Sequence, residues 1–160
     1  RRGGDGVSRQ RRPVPLDRSV PDADVRITPQ AYDEVKRHAS EGYPNEICGA
    51  LIAARGADLV TSTRRIRNKV IDRARDRYEL DEREHIQVMR DCDAAGLEIV
   101  GYYHSHPDHP AWASETDSGR SWAGYVYLIV SCHQGTVVDG NAFMTDQNFT
   151  KMHQVPLEIG

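Results

Sequence analysis

Two histidines, followed closely by a serine and an aspartate, are the residues of this sequence whose types and spacing could do chemistry. His104 and His106 are separated by one residue, and Pro107 follows them directly. Side chains two positions apart lie on the same face of an extended chain, so both imidazoles can reach one metal ion. Pro107 then turns the chain out of the strand, and the loop that follows can fold back and return Ser114 and Asp117 to the histidines.

Each part of this pattern also has a simpler interpretation. Histidine pairs at this spacing arise by chance in many proteins, and Ser-x-x-Asp is a common helix start in which the serine is the N-cap. Taken together, however, two imidazole nitrogens and one carboxylate make three zinc ligands and leave the fourth tetrahedral position to water. That arrangement is typical of catalytic zinc, because structural sites fill all four positions with protein ligands.

Periodicity, capping residues and turns indicate the elements that must position these side chains. The apolar run 97–103 predicts a strand that leads directly into His104. The order of strand, helix, several strands, helix and several strands indicates an α/β domain. The same signals predict helices from Pro29 (N-cap Thr28) to about Ser40, from the N-cap Asp81 to the stop at Gly96, and from Ser114, with further strands at 25–27, 46–53, 58–67, 125–131, 136–144 and 155–159.

The length of 160 residues fits one domain preceded by a tail. Residues 1–24 are rich in Arg, Pro, Gly and Asp and lack apolar periodicity, which predicts a flexible or linker-like segment. We therefore expect the folded domain to span residues 25–160.

Composition excludes several classes of protein. A net charge of −3 and a pI near 6.2 argue against nucleic acid as the partner. Mean hydropathy is −0.66 and there is no apolar run of membrane-spanning length, so we expect no membrane association. The three cysteines are far apart and form no C-x-x-C pair. They predict small buried thiols in a reducing cytosol, and hence a cytoplasmic protein, instead of a disulfide framework or a cysteine zinc site.

One basic stretch stands out against this acidic average. Residues 64–77 hold six arginines and a lysine with few acids between them. The simpler interpretation is a solvated strand end and loop, and the alternative is a docking surface for an acidic partner.

The sequence resembles the JAMM (MPN+) metalloproteases. The resemblance is carried by a glutamate at position 46, then His-x-His-Pro, six residues, and Ser-x-x-Asp, and it extends from Val25 to Ile159. The run 46–49, Asn68 and the later strand 128–131 also look like the small bacterial branch of this family. One departure is Ala113, which stands where the family usually has proline before the motif serine.

This resemblance implies a fold and a set of roles. The fold would be the MPN (cytidine deaminase-like) fold, a curved and mostly antiparallel sheet flanked by helices. His104, His106 and Asp117 would bind Zn²⁺, Glu46 would be the general acid/base, and Ser114 would help to stabilise the oxyanion. Taken alone, Glu46 is equally well a solvated acid at the end of a strand.

The resemblance also implies a substrate class. Members of the family cleave after the Gly-Gly end of ubiquitin-like proteins, and some small bacterial members process sulfur-carrier proteins. An extended Gly-Gly tail could be held by strand addition to an exposed sheet edge near Tyr78 or Ser131, and Trp112 could touch the substrate. The opening residues 1–4, Arg-Arg-Gly-Gly, look like such a tail, although an ordinary flexible segment is the simpler interpretation.

Three functions remain open from the sequence. The first is a deubiquitinase-like isopeptidase or precursor-processing peptidase, with sulfur-carrier processing as its variant. The second is a non-catalytic MPN-type interaction module, which the complete ligand set disfavours. The third is a small-molecule hydrolase or deaminase, although the Pro-Cys-x-x-Cys segment of zinc deaminases is absent.

Overall fold

A computed structural model of the chain describes residues 24–113, 122, 124–145 and 152–160. The predicted tail at 1–24 therefore lies outside the described residues apart from Asp24, as does the helix predicted from Ser114. The elements are β1 (Val25–Ile27), α1 (Pro29–Gly42), β2 (Cys48–Ala54), β3 (Ser62–Ile66), α2 (Glu82–Ala95), β4 (Leu97–Pro107), β5 (Val126–His133), β6 (Thr136–Thr145), β7 (Met152–Val155) and β8 (Leu157–Ile159).

Six of these strands form one sheet in the order β3-β2-β4-β5-β6-β7, while β1 and β8 pair separately. Neighbours in the large sheet are antiparallel except β4 and β5, which run parallel. The expected α/β fold with a mostly antiparallel sheet is confirmed. β2 lies between β3 and β4 with both faces buried, as its continuous apolar run predicted.

The two described helices pack on opposite faces of the sheet. Alternation along each central strand sends every second side chain to the same face, so β2 gives Leu51 to the core under α1 and Ile52 to the core under α2. Val35 of α1 and Val88 of α2 fill the helix sides of these two cores, and both are almost fully buried. The prediction of a sheet flanked by helices is therefore confirmed.

Capping residues define the helix ends as the sequence predicted. The Thr28 hydroxyl accepts a hydrogen bond from the Ala31 amide at 3.1 Å, and Asp81 does the same for Glu84 at 3.0 Å. Gly96 ends α2 in the left-handed conformation, with φ of 74°. Helix α1 continues to Gly42, beyond the expected Ser40, and ends where Pro44 disfavours a helical residue before it.

Several strand ends differ from their predicted positions because the backbone groups there form hydrogen bonds outside the strand pairing. β2 begins at Cys48 instead of Glu46, whose amide donates to the carbonyl of Ala74. β3 is shorter than 58–67, since Val60 bonds to β1 and the Arg67 amide donates to a side chain of α2. The single strand expected at 155–159 is two strands, β7 on β6 and β8 on β1.

All three cysteines are buried and unbridged, as expected. Burial raises the pKa of the Cys48 thiol to about 12, so this cysteine behaves as a small apolar side chain. Among the described residues, no helix is long and apolar enough to cross a membrane.

Protonation of His38 should destabilise this fold. His38 of α1 faces β4, with its Nδ1 atom 2.7 Å from the Tyr103 hydroxyl. Burial, with a smaller effect of the Arg65 charge, lowers its pKa from 6.5 to about 4. The folded protein keeps this imidazole neutral at a pH where the unfolded chain protonates it. The depressed pKa of His38 therefore contributes fully to the free energy of unfolding above pH 6.5, and this contribution is lost as the pH falls towards 4.

We expect His38→Asn, which keeps an oxygen near the Nδ1 position but does not titrate, to lose less stability than the wild type across this pH window. The measurement is the free energy of unfolding from urea titrations at a series of pH values. Gln30→Asn on the exposed side of α1 is the matched control and should follow the wild type. Parallel curves for His38→Asn and the wild type would contradict the assignment.

Candidate metal centre and active-site pocket

Strand β4 carries the two predicted histidine ligands into the interior on one face of the sheet. His104 and His106 are both buried, and their Nε2 atoms lie 3.3 Å apart. Ser105, between them in sequence, points to the opposite face, where its hydroxyl accepts a hydrogen bond from the Ile47 amide at 3.0 Å. The strand thus holds both imidazoles on one side and fastens itself to the start of β2 on the other.

The separation of the two nitrogens fits a shared metal ion. Two nitrogens bound to one tetrahedral zinc at about 2.05 Å lie about 3.3 Å apart. Nδ1 of His106 lies 2.8 Å from the carbonyl oxygen of Pro110, which can only accept, so Nδ1 carries the proton and Nε2 presents its lone pair. This second-shell bond fixes both the tautomer and the ring orientation that a metal ligand needs.

The other two residues of the predicted constellation, Ser114 and Asp117, lie outside the described residues. Within residues 24–113, 122, 124–145 and 152–160, no three His, Cys, Asp or Glu side chains meet in a group that could hold a metal ion. The described part of the site is therefore a pair of nitrogen donors, and its chemistry suits zinc, which binds imidazole readily.

Glu46 lines the same pocket as His106, a cavity of about 500 Å³. Although it precedes β2, Glu46 is only 7% exposed, which differs from a solvated acid at a strand end. Its amide donates to the Ala74 carbonyl at 2.5 Å, and its carbonyl accepts from Nδ2 of Asn68 at 3.1 Å. Both bonds come from the segment that connects β3 to α2, residues 67–81, which we call the connecting segment.

Residues 108–113, which we call the ligand loop, follow β4 and form the opposite wall of the pocket. Three successive carbonyls of this loop each accept a hydrogen bond from a side chain of the sheet: His109 from Ser131 at 2.5 Å, Pro110 from His106 at 2.8 Å and Ala111 from Asn141 at 2.9 Å. These bonds hold the backbone that leads towards Ser114. Asn141 was not predicted from the sequence, since nothing local to β6 indicates which loop its amide will meet.

Asp108 fixes the turn with which the ligand loop begins. It adopts a left-handed backbone conformation, with φ of 59°, which asparagine and aspartate tolerate better than most residues. Its carboxylate accepts hydrogen bonds from the Tyr43 hydroxyl at 2.5 Å and the Gln134 amide at 2.9 Å. These contacts, with the Tyr43 bond the larger cause, lower the pKa of Asp108.

Two of the predicted substrate contacts lie at the pocket. Tyr78 lines it and stacks on the His104 ring with centroids 4.4 Å apart. Trp112 also lines it and is 55% exposed, with its ring edge against Phe143. His109 lies in the pocket wall as a loop residue. Whether Tyr78 or Trp112 touches a substrate stays a prediction.

The expectation of an exposed sheet edge near Ser131 is wrong. Ser131 lies on β5, which has β4 on one side and β6 on the other, and its register partners are His106 and Asp139. Its side chain is buried and its hydroxyl donates to the ligand loop. The local sequence could not reveal this, because a strand's place in the sheet depends on chain segments far away.

The basic stretch 64–77 is largely neutralised within the chain. Salt bridges join Arg64 to Asp91, Arg65 to Glu41, Arg67 to Asp81, Lys69 to Glu79 and Glu82, and Arg73 to Asp76. These pairs are mostly exposed and contribute little to stability individually. They favour the simpler interpretation of a solvated surface for most of the stretch.

Comparison with known proteins agrees with this fold. Residues 28–146 match Prok-JAB, the prokaryotic homologs of the JAB domain. The chain belongs to this family. The resemblance to JAMM/MPN+ proteins that the sequence indicated is thereby confirmed.

Individual relatives extend the comparison. The chain is 40% identical over 112 residues to a desampylase from Haloferax volcanii, covering 67% of this chain and 80% of that protein. A solution structure from Desulfitobacterium hafniense has a TM-score of 0.68 and 25% identity, covering 84% of this chain and 91% of that one. A crystal structure of a JAB1/MPN domain protein from Archaeoglobus fulgidus, with 16% identity, a TM-score of 0.56 and coverage of 86% and 99%, shows the shared fold.

Removing the Ser131 hydroxyl should loosen the ligand loop. We expect Ser131→Ala to lower the free energy of unfolding by about 1–2 kcal/mol, because the ligand loop loses the hydrogen bond that the buried Ser131 donates to the His109 carbonyl. Urea titration measures this change, with Ser62→Ala on the exposed β3 as the matched control. A variant of unchanged stability but raised KM would show instead that Ser131 serves the substrate directly.

Proposed function

We propose that this protein is a zinc metallopeptidase that hydrolyses the peptide or isopeptide bond after the Gly-Gly C-terminus of a ubiquitin-like protein. The observation that carries the proposal is the pair of buried Nε2 atoms 3.3 Å apart, in a protein whose site pocket is also lined by Glu46. Support for the substrate class comes from the relative in Haloferax volcanii, whose name, desampylase, denotes removal of a small archaeal ubiquitin-like modifier.

In this proposal His104, His106 and Asp117 hold the metal. Zinc, when bound, would polarise the scissile carbonyl and lower the pKa of a water molecule. His106 has the tautomer that such binding needs, because its Nδ1 proton is committed to the Pro110 carbonyl. Asp117 and Ser114 keep the roles that the family resemblance implies, as third ligand and as a hydrogen-bond donor to the developing oxyanion.

Glu46 is the proposed general acid/base. A carboxylate that lines the pocket can take a proton from the attacking water and deliver it to the leaving nitrogen. The two backbone bonds of Glu46 to the connecting segment keep its main chain fixed during this transfer. Tyr78 and Trp112 form the proposed contacts with the extended tail, for which glycine is suitable because it brings no side chain into the pocket.

Zinc binding should depend on the two histidines of β4 and not on His109, which also lines the pocket. We expect the wild type to bind one equivalent of zinc, and His104→Ala and His106→Ala to lose it, as measured by elemental analysis after dialysis. Asp117→Ala tests the third ligand in the same way. His109→Ala, a matched change in the ligand loop, should retain the metal, and its loss there would contradict the proposed ligand set.

Replacing Glu46 should greatly lower kcat without removing zinc. We expect Glu46→Gln to keep one equivalent of zinc and to lower kcat by about 10²- to 10⁴-fold, because general acid/base transfer is lost. Cleavage is followed by intact mass with ubiquitin-like proteins that carry either a peptide or a lysine-linked partner after Gly-Gly. Glu158→Gln, on the exposed strand β8, is the matched control.

The two substrate forms also distinguish between the proposed reactions. Cleavage of the linear form alone would indicate precursor maturation or sulfur-carrier processing, and cleavage of the lysine-linked form would indicate deconjugation. A zinc-loaded wild type that cleaves neither form would overturn the substrate class.

A further inference from the structure

The side-chain amide of Asn68 joins four backbone groups at once. Its Nδ2 donates to the carbonyls of Glu46 and Arg77, both at 3.1 Å. Its Oδ1 accepts from the amides of Val70 at 3.0 Å and Glu79 at 3.1 Å. A primary amide has two hydrogens to donate and two lone pairs with which to accept, so Asn68 uses its full capacity.

Chemistry fixes the orientation of this amide. Carbonyl oxygens can only accept and backbone amides can only donate, so an exchanged Oδ1 and Nδ2 would lose all four bonds. Aspartate, which has the same shape but no hydrogens to donate when ionised, could make only the two bonds with Val70 and Glu79.

These four bonds are additional to those that close the connecting segment. The two arms of the segment already pair through their backbones, from the Lys69 amide to the Glu79 carbonyl and from the Asp81 amide to the Arg67 carbonyl, each at 3.0 Å. The arms therefore stay together without the side chain. What the Asn68 amide adds is a link between this paired segment and Glu46, which lies outside it.

The link joins two parts of the pocket. Glu46 supplies the carboxylate, and Tyr78, placed between the two bonded residues Arg77 and Glu79, stacks on the ring of His104. One nitrogen atom thus bonds both Glu46, which lies two residues before β2, and Arg77, the residue before Tyr78. Glu46 is also tied to the connecting segment through the Ala74 carbonyl, but the rigid Asn68 amide joins it directly to the neighbour of Tyr78.

We propose that Asn68 is a positioning residue, which holds Glu46 and Tyr78 at a fixed spacing across the pocket through its two Nδ2 bonds. This proposal rests on the function proposed above, because it assigns Asn68 a task in that reaction. Small displacements of a reacting group are costly in enzymes, since about 1 Å can lower the rate about 100-fold.

Asn68→Asp tests the Nδ2 bonds separately from the Oδ1 bonds. We expect this variant to lower kcat by about 10- to 100-fold while zinc stays at one equivalent. Hydrogen exchange of the Val70 and Glu79 amides should remain near that of the wild type, because their acceptor persists. Asn68→Ala should lower kcat similarly and also accelerate exchange at both amides.

Lys69→Ala is the matched control, since Lys69 neighbours Asn68 and its side chain forms exposed ion pairs with Glu79 and Glu82. It should keep the kcat of the wild type. A residue that serves stability alone would lower the melting temperature and leave the kcat of the folded protein unchanged. Wild-type kcat in Asn68→Asp would thus overturn the proposal, as would a loss of kcat that follows a loss of zinc.

A readout that needs no turnover separates this proposal from the proposed function. The Tyr78 ring shifts the NMR signals of the His104 ring protons in the zinc-free protein, because the two rings are stacked. We expect these signals to move in Asn68→Asp and to stay in place in Lys69→Ala. If the wild type cleaves no substrate, the proposed function fails, and unmoved His104 signals in Asn68→Asp would then overturn the positioning role as well.

Discussion

Strand β4 must place two imidazoles in the interior with both Nε2 atoms directed at one point, and the rest of the structure satisfies this requirement. Polar rings are expensive to bury unless their nitrogens are engaged. His106 meets the condition with one nitrogen on the Pro110 carbonyl and the other facing His104. The stacked ring of Tyr78 covers His104. Loss of the Pro110 bond would remove the acceptor that Nδ1 of His106 uses, and loss of the Tyr78 ring would uncover His104.

The two faces of β4 have different roles, because one packs in the core under α1 and the other carries the two histidines. Tyr103 and Ser105 of β4 face α1, where one packs in the core and the other bonds to Ile47. His104 and His106, which alternate with them along the strand, face the other way and line the candidate site. Stabilising contacts on the α1 face thus fix the strand without occupying the pocket. Such a division lets one strand be both a core element and the carrier of the proposed metal ligands.

The sequence predicted those features that depend on neighbours along the chain. The caps Thr28, Asp81 and Gly96 act within one helical turn, and the common face of His104 and His106 follows from strand geometry alone. These expectations agree with the structure.

Features that join distant parts of the chain were not predicted. Ser131 was expected near an exposed sheet edge, but its local sequence does not determine which strands flank it. The bonds from Asn68 to Glu46 and from Asn141 to Ala111 span 22 and 30 residues of sequence, and no local pattern encodes them. The split between β7 and β8 likewise depends on which distant strand each segment meets.

The parallel pairing of β4 with β5 restricts how this chain can change during evolution. Antiparallel neighbours can be joined by a turn of two residues, but parallel neighbours need a connection of about a dozen residues or more to return to the starting edge. Residues 108–125 make that connection here, and they include Ser114 and Asp117. A deletion that shortened this connection well below a dozen residues would therefore separate the two central strands. Descendants of such a chain could exchange side chains of this connection and keep the fold, but could shorten it by no more than about a third.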